Sequence, residues 1–181
     1  MIPNNLLGLP SGKVKIVLYD ELWKKAYQDE EKLLWPVIGE FVIDIQHIGS
    51  TSIPGLASKP IIDIAAFVTS LNIGEACIKP LEKIGYEYRY DAGVPGRHFF
   101  AKGSRENRTH FLHIEELHGE LWKNHILFRD YLREHREAVI EYAELKIELA
   151  KKYENDRDTY TIEKAGFIRR ILAMTEKELQ S

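Results

Sequence analysis

The chain has 181 residues and a formal net charge of -3 at pH 7, so it can bury a hydrophobic core but lacks the basic balance of a general nucleic-acid-binding protein. Cys77 is the only cysteine, which excludes an intrachain disulfide and a cysteine metal cluster and favours a reducing, cytoplasmic compartment. The longest apolar run, residues 61–68, is too short to span a bilayer, and the N-terminus lacks the pattern of a signal peptide. We therefore expect a soluble protein with no membrane partner.

The first half of the chain alternates between strand and helix patterns. Residues 14–18 are typical of a short strand, and Asp20 is a suitable N-cap for the amphipathic helix that follows it. Residues 41–48 and 61–68 are predicted strands, and the second is apolar at nearly every position, as in a central strand covered on both faces. Residues 72–84 predict a helix that ends at a glycine.

The second half begins with β-rich runs separated by glycine-containing turns, which is typical of antiparallel strands. These runs cover residues 86–90, 98–102 and 109–115. Two long helical patterns follow, at residues 119–153 and 161–179. An apolar stripe on the first of them is expected to face the core, and its one lysine, Lys146, is out of place there.

The most informative segment is 47–64, HIGSTSIPGLASKPIIDI, in which one strand enters a Gly-Ser turn and the next strand carries a single acid. Gly49 permits a sharp turn, and the polar residues after it offer hydroxyl and N–H groups to phosphate oxygens. These polar residues are Ser50, Thr51 and Ser52. Asp63 could hold a metal ion opposite them. In the alternative, the segment is an ordinary strand-to-helix turn with a serine cap.

Gly49-Ser50 followed by Asp63 is similar to the signature of the nucleotidyltransferase-fold superfamily, hG[GS] and then Dh[DE]h on the next strand. The whole segment resembles the GrpB family (UPF0157), a branch of that superfamily. Further residues that carry the resemblance are Trp23, 97–100 (RHFF), His113, 128–133 (FRDYLR), 142–146 (YAELK), Tyr160, Thr161 and Lys164. The resemblance implies an α/β fold, a nucleotidyltransferase-like mixed sheet with flanking helices and a C-terminal helical pair. We expect a single domain over residues 1–181, with an α/β core at 1–118 and a helical part at 119–181.

The sequence departs from the superfamily pattern beside Asp63. Active members place two carboxylates at alternate positions of this strand, so that both point to one face and share a divalent cation. The alternate neighbours of Asp63 are Ile61 and Ala65, which do not bind metal ions. Glu115 on a later strand and Asp44 on the preceding strand are the candidates for a second carboxylate.

Several basic residues could add positive charge to this site. Lys59 lies at the mouth of the loop, and Arg97 begins a strand after a glycine-rich turn, where its guanidinium could bind phosphate or carboxylate. Lys164 and Arg129 are the candidates on the two helical segments. For each of them the alternative is a structural role, as a solvated surface residue or as the partner of an acid.

The histidines do not predict a zinc site. His110 and His113 are three residues apart on one strand, so their side chains point to opposite faces, and His125 and His135 are nearly three helical turns apart. His113 shares a face with Glu115. We expect His113 either to support Asp63 from behind the ligand site, with Glu115, or to be a hydrogen-bonded core histidine.

Together these residues support the hypothesis of a nucleotidyltransferase-like protein. A nucleotide or phosphorylated metabolite would bind at Ser50 and Asp63, Asp63 would hold Mg²⁺, and in-line transfer of a nucleotidyl group to an unspecified acceptor would follow. The missing second carboxylate favours an alternative, a non-catalytic nucleotide-binding, cofactor-binding or regulatory module on the same fold.

Overall fold

A mixed sheet of five strands lies at the centre of the protein, which a computed structural model describes over residues 6–178. The strands are β1 (Asp44–Ile48), β2 (Ile62–Val68), β3 (Tyr86–Tyr88), β4 (Arg97–Lys102) and β5 (His110–Glu116). Their spatial order is β1-β2-β5-β4-β3, in which β2 and β5 run parallel and the other neighbours run antiparallel. All five strands predicted from residue 41 onward are confirmed as strands, and their ends differ from the predicted ends by a few residues.

Helices pack on the sheet and form the C-terminal part. They are α1 (Leu22–Ile38), α2 (Leu71–Gly74), α3 (Ile78–Lys83), α4 (Glu120–Glu134), α5 (Arg136–Lys152) and α6 (Arg157–Glu178). Single turns of 3₁₀ helix cover Ser50–Ser52 and Glu75–Cys77. The second of these turns divides the helix predicted at residues 72–84 into α2 and α3. Among the described residues, no helix combines the length and the apolar character needed to cross a membrane.

The two faces of the sheet are covered differently. Successive side chains of a strand point to opposite faces, so Ile62 and Ile64 lie on one face of β2 and Asp63 lies on the other. The first face packs against α1 and α3 in the main core, which includes the fully buried Trp23. The second face packs against α4 near Phe67. This second face carries the candidate site.

The C-terminal part is helical as predicted, but the single helix predicted over residues 119–153 is wrong. His135 has an extended backbone, with φ -119° and ψ 90°, and it separates α4 from α5. The His135 ring stacks on the Tyr131 ring with 3.8 Å between ring centroids, and the backbone N–H of His135 donates to the Tyr131 carbonyl at 3.0 Å. The extended backbone at His135 redirects the chain, and α4, α5 and α6 share a core that includes Tyr142 and Phe167.

Residues 14–18 do not form the predicted strand, because the segment pairs with a loop. Only Val17 makes a β-bridge, with Ser58, through two backbone hydrogen bonds of 2.9 Å. Val14 is buried against Leu149 and Tyr160 of the C-terminal helices. The segment therefore fixes the loop before β2 against the helical part of the protein.

Candidate functional site

Gly49 and Asp63 are in direct contact where β1 meets β2. Ile48 is the register partner of Asp63, so the residue after β1 lies against the Asp63 side chain. Gly49 has φ 67°, and a Cβ atom at this position would lie 2.8 Å from Asp63 Oδ2 and 2.9 Å from Asp63 Cβ. Glycine is therefore needed both for the left-handed backbone and for the close approach.

Hydroxyl groups stabilise the turn that follows. Ser52 Oγ donates to the Gly49 carbonyl at 2.6 Å, and the buried Thr51 Oγ1 lies 3.0 Å from a histidine ring nitrogen of β1. Ser50 is half-buried beside Tyr142. Burial raises the pKa of Tyr142, and a hydrogen bond with Ser50 opposes that shift. Thr51 and Ser52 thus hold the loop itself, whereas Ser50 connects it to the helical part.

Asp63 keeps 32% of its side-chain surface exposed, so a ligand can reach it. Its Oδ1 lies 3.8 Å from His113 Nε2. Burial opposes ionisation of Asp63, but His113 and the positive charges of Lys59 and Lys164 outweigh burial and lower the pKa of Asp63. Asp63 is therefore a carboxylate anion at neutral pH.

His113 lies between Asp63 and Arg97. Arg97 Nη1 is 3.0 Å from His113 Nδ1, and because a guanidinium group only donates hydrogen bonds, Nδ1 is the acceptor. The ring proton is then on Nε2, the nitrogen that faces Asp63. Burial lowers the pKa of His113, which keeps the ring neutral. This arrangement places His113 behind Asp63 and ties Arg97 to the histidine.

Lys59 and Lys164 lie near Asp63 without an ionic partner. Their Nζ atoms are 5.7 Å and 5.4 Å from the centroid of the Tyr160 ring. Over residues 6–178, neither ammonium group makes a hydrogen bond or an ion pair. Burial and the charges of Lys164 and Arg157 lower the pKa of Lys59 to about 7, whereas Asp63 raises it. Burial also lowers the pKa of Lys164.

Lys146, the lysine that interrupts the apolar stripe of α5, adjoins this pair. It is 2% exposed, and its Nζ donates to the Ala57 carbonyl at 2.6 Å. Burial, followed by the charges of Lys164 and Lys59, holds the pKa of Lys146 well below its usual range. The amino group of a third lysine thus approaches the same region from behind the loop.

Arg157, at the start of α6, adds a further cation. Its guanidinium carbon lies 4.9 Å from the centroid of the Phe111 ring, and its charge lowers the pKa of both Lys59 and Lys164. Asp63 is the one carboxylate among the groups that shift the pKa values of these lysines. The site therefore has a local excess of positive charge.

Arg129 lies away from this cluster, at the joint between α4 and β1. It is 8% exposed, and its Nη1 donates to Gln46 Oε1 at 2.7 Å and to the His47 carbonyl at 3.2 Å. Its Nε donates to Asp130 Oδ1 at 2.7 Å. The guanidinium of Arg129 thus donates its hydrogen bonds to other groups of the protein. Its position favours a structural role over contact with a ligand.

The two candidates for a second carboxylate lie away from Asp63. Asp63 is paired with Phe111, four residues before Glu115, which corresponds to roughly 13 Å along a strand. Asp44 lies opposite Phe67, also four residues from Asp63 along β2. In the described part of the chain, Asp63 belongs to no group of three or more potential metal ligands.

Glu115 is instead buried beside His113 and His125. Its Oε1 lies 3.1 Å from His125 Nε2, and burial raises its pKa, but the hydrogen bond with His125 and the charge of Arg97 outweigh burial and lower it. His125, Lys146 and Arg157 were not candidates from the sequence. The sequence could have identified Lys146, because it interrupts an apolar stripe. The positions of His125 and Arg157 follow only from the packing of the C-terminal helices.

The chain matches the model of the GrpB protein family over residues 13–174. It is 42% identical over 171 residues to the glutamate-rich protein GrpB of Alkalihalophilus pseudofirmus, with coverage of 92% of this chain and 98% of that protein. It also resembles the crystal structure of conserved protein GrpB from Enterococcus faecalis, with a TM-score of 0.84 and 33% identity over 92% of this chain and 100% of that one.

A more distant structural similarity concerns the fold alone. A mutant of the Cid1 poly(U) polymerase bound to MgATP matches with a TM-score of 0.51 and 18% identity, over 75% of this chain and 44% of that one. The predicted nucleotidyltransferase-like mixed sheet with flanking helices is confirmed by this similarity and by the strand order. The chain therefore belongs to the GrpB family and has a nucleotidyltransferase-like fold.

Proposed function

We propose that the protein binds a phosphate-bearing small molecule, a nucleotide or a phosphorylated metabolite, in front of Asp63 and the Gly49 turn. The observation that carries this proposal is the pair of ammonium groups, Lys59 and Lys164, that have no anionic partner within 4.0 Å in residues 6–178. Arg157 adds to their charge. The fold supports the proposal, because it places a glycine turn against the one acidic residue of β2.

Lys59 and Lys164 cost the protein free energy when no ligand is bound. Partly buried ammonium groups lose hydration without gaining an ion pair, and their lowered pKa values express this cost. A phosphate group carries up to two negative charges and several acceptor oxygens, so it would satisfy both lysines at once. Binding would also restore the charged form of Lys59.

Each residue then has a separate role in the proposed complex. Lys59 and Lys164 bind phosphate oxygens, and Arg157 provides additional charge. Gly49 leaves room for the ligand to approach, and the Ser50 hydroxyl donates to it. Asp63, an acceptor beside these donors, selects a ligand that also carries a hydroxyl or amino group.

A resident Mg²⁺ fits these residues poorly. The ion prefers several oxygen ligands, and here the carboxylate of Asp63 faces the Nε2–H of His113 and lies in the field of Lys59 and Lys164. The lysines supply the positive charge that an ion would bring. We therefore assign phosphate binding to the lysines and derive no step from Mg²⁺.

Nucleotidyl transfer is the second candidate, supported by the contact of Gly49 with Asp63 in a nucleotidyltransferase-like fold. A nucleotide that arrives as its Mg²⁺ complex would bring most of the ligands of the ion with it. The two candidates differ in one respect that can be measured. The first needs no metal for binding, and the second needs it for turnover.

Melting temperature, followed with a panel of nucleotides and pyrophosphate in EDTA, tests the first candidate. A ligand at 100 times its Kd adds about 2.7 kcal/mol of stability, which is readily detected. We expect a positive shift with at least one triphosphate or pyrophosphate. A panel without any shift in EDTA would contradict the proposal.

Matched lysine variants show whether the shift arises at this site. Lys59→Gln and Lys164→Gln should each weaken binding by about tenfold, since one charge-assisted hydrogen bond contributes about 1.5 kcal/mol or more. Lys151→Gln, which changes an exposed lysine on α5, is the control and should bind normally. Equal loss in all three variants would indicate non-specific charge attraction instead.

A further inference from the structure

His113, Glu115 and His125 converge beside the proposed ligand site. His113 and Glu115 are two residues apart on β5 and share one face, and His125 reaches them from α4. Glu115 Oε1 lies 3.1 Å from His125 Nε2 and 3.8 Å from His113 Nδ1. One ligand atom from each side chain can be chosen so that all three lie within 4.8 Å of one another.

The cluster does not satisfy its own polar atoms. Glu115 is 0% exposed, and its Oε2 has no hydrogen-bond partner among the described residues. A buried carboxylate oxygen without a partner is costly, so such an oxygen is unusual in a folded protein. This observation is independent of the spacing of the three side chains, and it indicates that the Glu115 carboxylate can accept one more partner.

We infer that His113, Glu115 and His125 form a binding site for a transition-metal ion of the zinc class. Tetrahedral coordination at about 2.0–2.1 Å separates neighbouring ligand atoms by roughly 3.3 Å, which lies between the 3.1 Å and 3.8 Å that separate Glu115 Oε1 from the two ring nitrogens. Two imidazoles and one carboxylate suit Zn²⁺, Co²⁺ or Ni²⁺, whereas Mg²⁺ and Ca²⁺ favour oxygen ligands. The inference does not depend on the proposed phosphate site.

Arg97 would compete with the ion. Its Nη1 lies 3.0 Å from His113 Nδ1, the ring nitrogen that faces Glu115, so metal binding requires Arg97 to release that nitrogen. The guanidinium also repels a cation. Removal of Arg97 should therefore increase the affinity for the metal ion. If the cluster is only an internal hydrogen-bond network, it binds no metal ion with or without Arg97.

Titration of EDTA-stripped protein with Co²⁺, followed by the visible d–d absorption and then by competition with Zn²⁺, tests the inference. We expect one equivalent of Co²⁺ to bind, Zn²⁺ to displace it, and Mg²⁺ in large excess to leave it bound. The affinity should fall at least tenfold in Glu115→Gln and in His125→Gln, and it should rise in Arg97→Ala. His118→Asn changes an exposed histidine and is the control for binding at surface imidazoles.

His125 keeps 30% of its side-chain surface exposed, so His125→Gln should fold even if the buried Glu115→Gln does not. The absence of Co²⁺ binding to the wild-type protein would overturn the inference. Binding of equal strength in the wild-type protein and His125→Gln would also overturn it, because the ion would then lie elsewhere.

Discussion

Gly49 sets the distance between the loop and the Asp63 carboxylate. We expect Gly49→Ala to lower the free energy of unfolding by about 2–4 kcal/mol, because strain at positive φ adds to a clash in a packed region. The clash involves a Cβ atom 2.8 Å from Asp63 Oδ2. Urea denaturation measures this loss.

Gly55→Ala is the matched control for this prediction. Gly55 has φ 78°, but a Cβ atom there would meet nothing within 4 Å. It should therefore show the backbone strain without the clash, and it should be less destabilised than Gly49→Ala. Equal losses in the two variants would mean that the contact between Gly49 and Asp63 is not tight.

The sequence identified the site residues that lie close together along the chain. Gly49, Ser50 and Asp63 belong to one short segment, so their meeting follows from a strand, a turn and an adjacent antiparallel strand. Lys59 and Lys164 are more than a hundred residues apart, and the sequence offered Lys59 as a candidate by its place at the mouth of the loop and Lys164 by the family resemblance. Their shared position beside the Tyr160 ring depends on the packing of α6.

At the scale of secondary-structure elements, Arg129 joins α4 to β1. We expect Arg129→Met to lower the free energy of unfolding by about 2–3 kcal/mol, because it leaves the acceptors of Gln46 and His47 without their donor. Phosphate affinity, measured by calorimetry in the folded variant, should stay unchanged. Arg136→Met, at an exposed position of α5, is the control and should have wild-type stability. A large loss of affinity in Arg129→Met would support the ligand role predicted from the sequence.

The strands were more predictable than the helices for a physical reason. β2 is apolar on both faces, and glycine turns separate β3, β4 and β5, so both signals are local. The break at His135 has no glycine or proline to mark it in the sequence, and the structure shows it as an extended backbone with the His135 ring stacked on Tyr131. The segment at residues 14–18 has strand-like residues, but a loop residue, Ser58, is its bridge partner.

At the scale of the whole molecule, the clustered lysines should make stability depend on pH. The pKa of Lys59 is lowered to about 7 from 10.5, and that of Lys164 is also lowered, so above pH 7 the unfolded chain binds more protons than the folded one. Stability therefore rises with pH in this window. We expect the free energy of unfolding to increase between pH 7 and about 9, below the usual pKa of tyrosine.

Urea titrations at a series of pH values measure this increase. Lys59→Gln should show a smaller rise, since its neutral amide no longer titrates. Lys151→Gln, the exposed control, should follow the wild-type curve. A wild-type stability that falls steadily from pH 7 to 9 would mean that the lysines are solvated.

The most direct test of the central claim, that lysines rather than Mg²⁺ hold the phosphate, is the calorimetric Kd of pyrophosphate for the wild-type protein and Asp63→Asn, each in EDTA and in Mg²⁺. We expect the wild-type protein to bind in EDTA and to gain no affinity from Mg²⁺. Asp63→Asn should bind pyrophosphate at least as tightly, because it removes a negative charge beside the cations. Binding that requires Mg²⁺ in the wild-type protein and disappears in a folded Asp63→Asn variant would contradict the account.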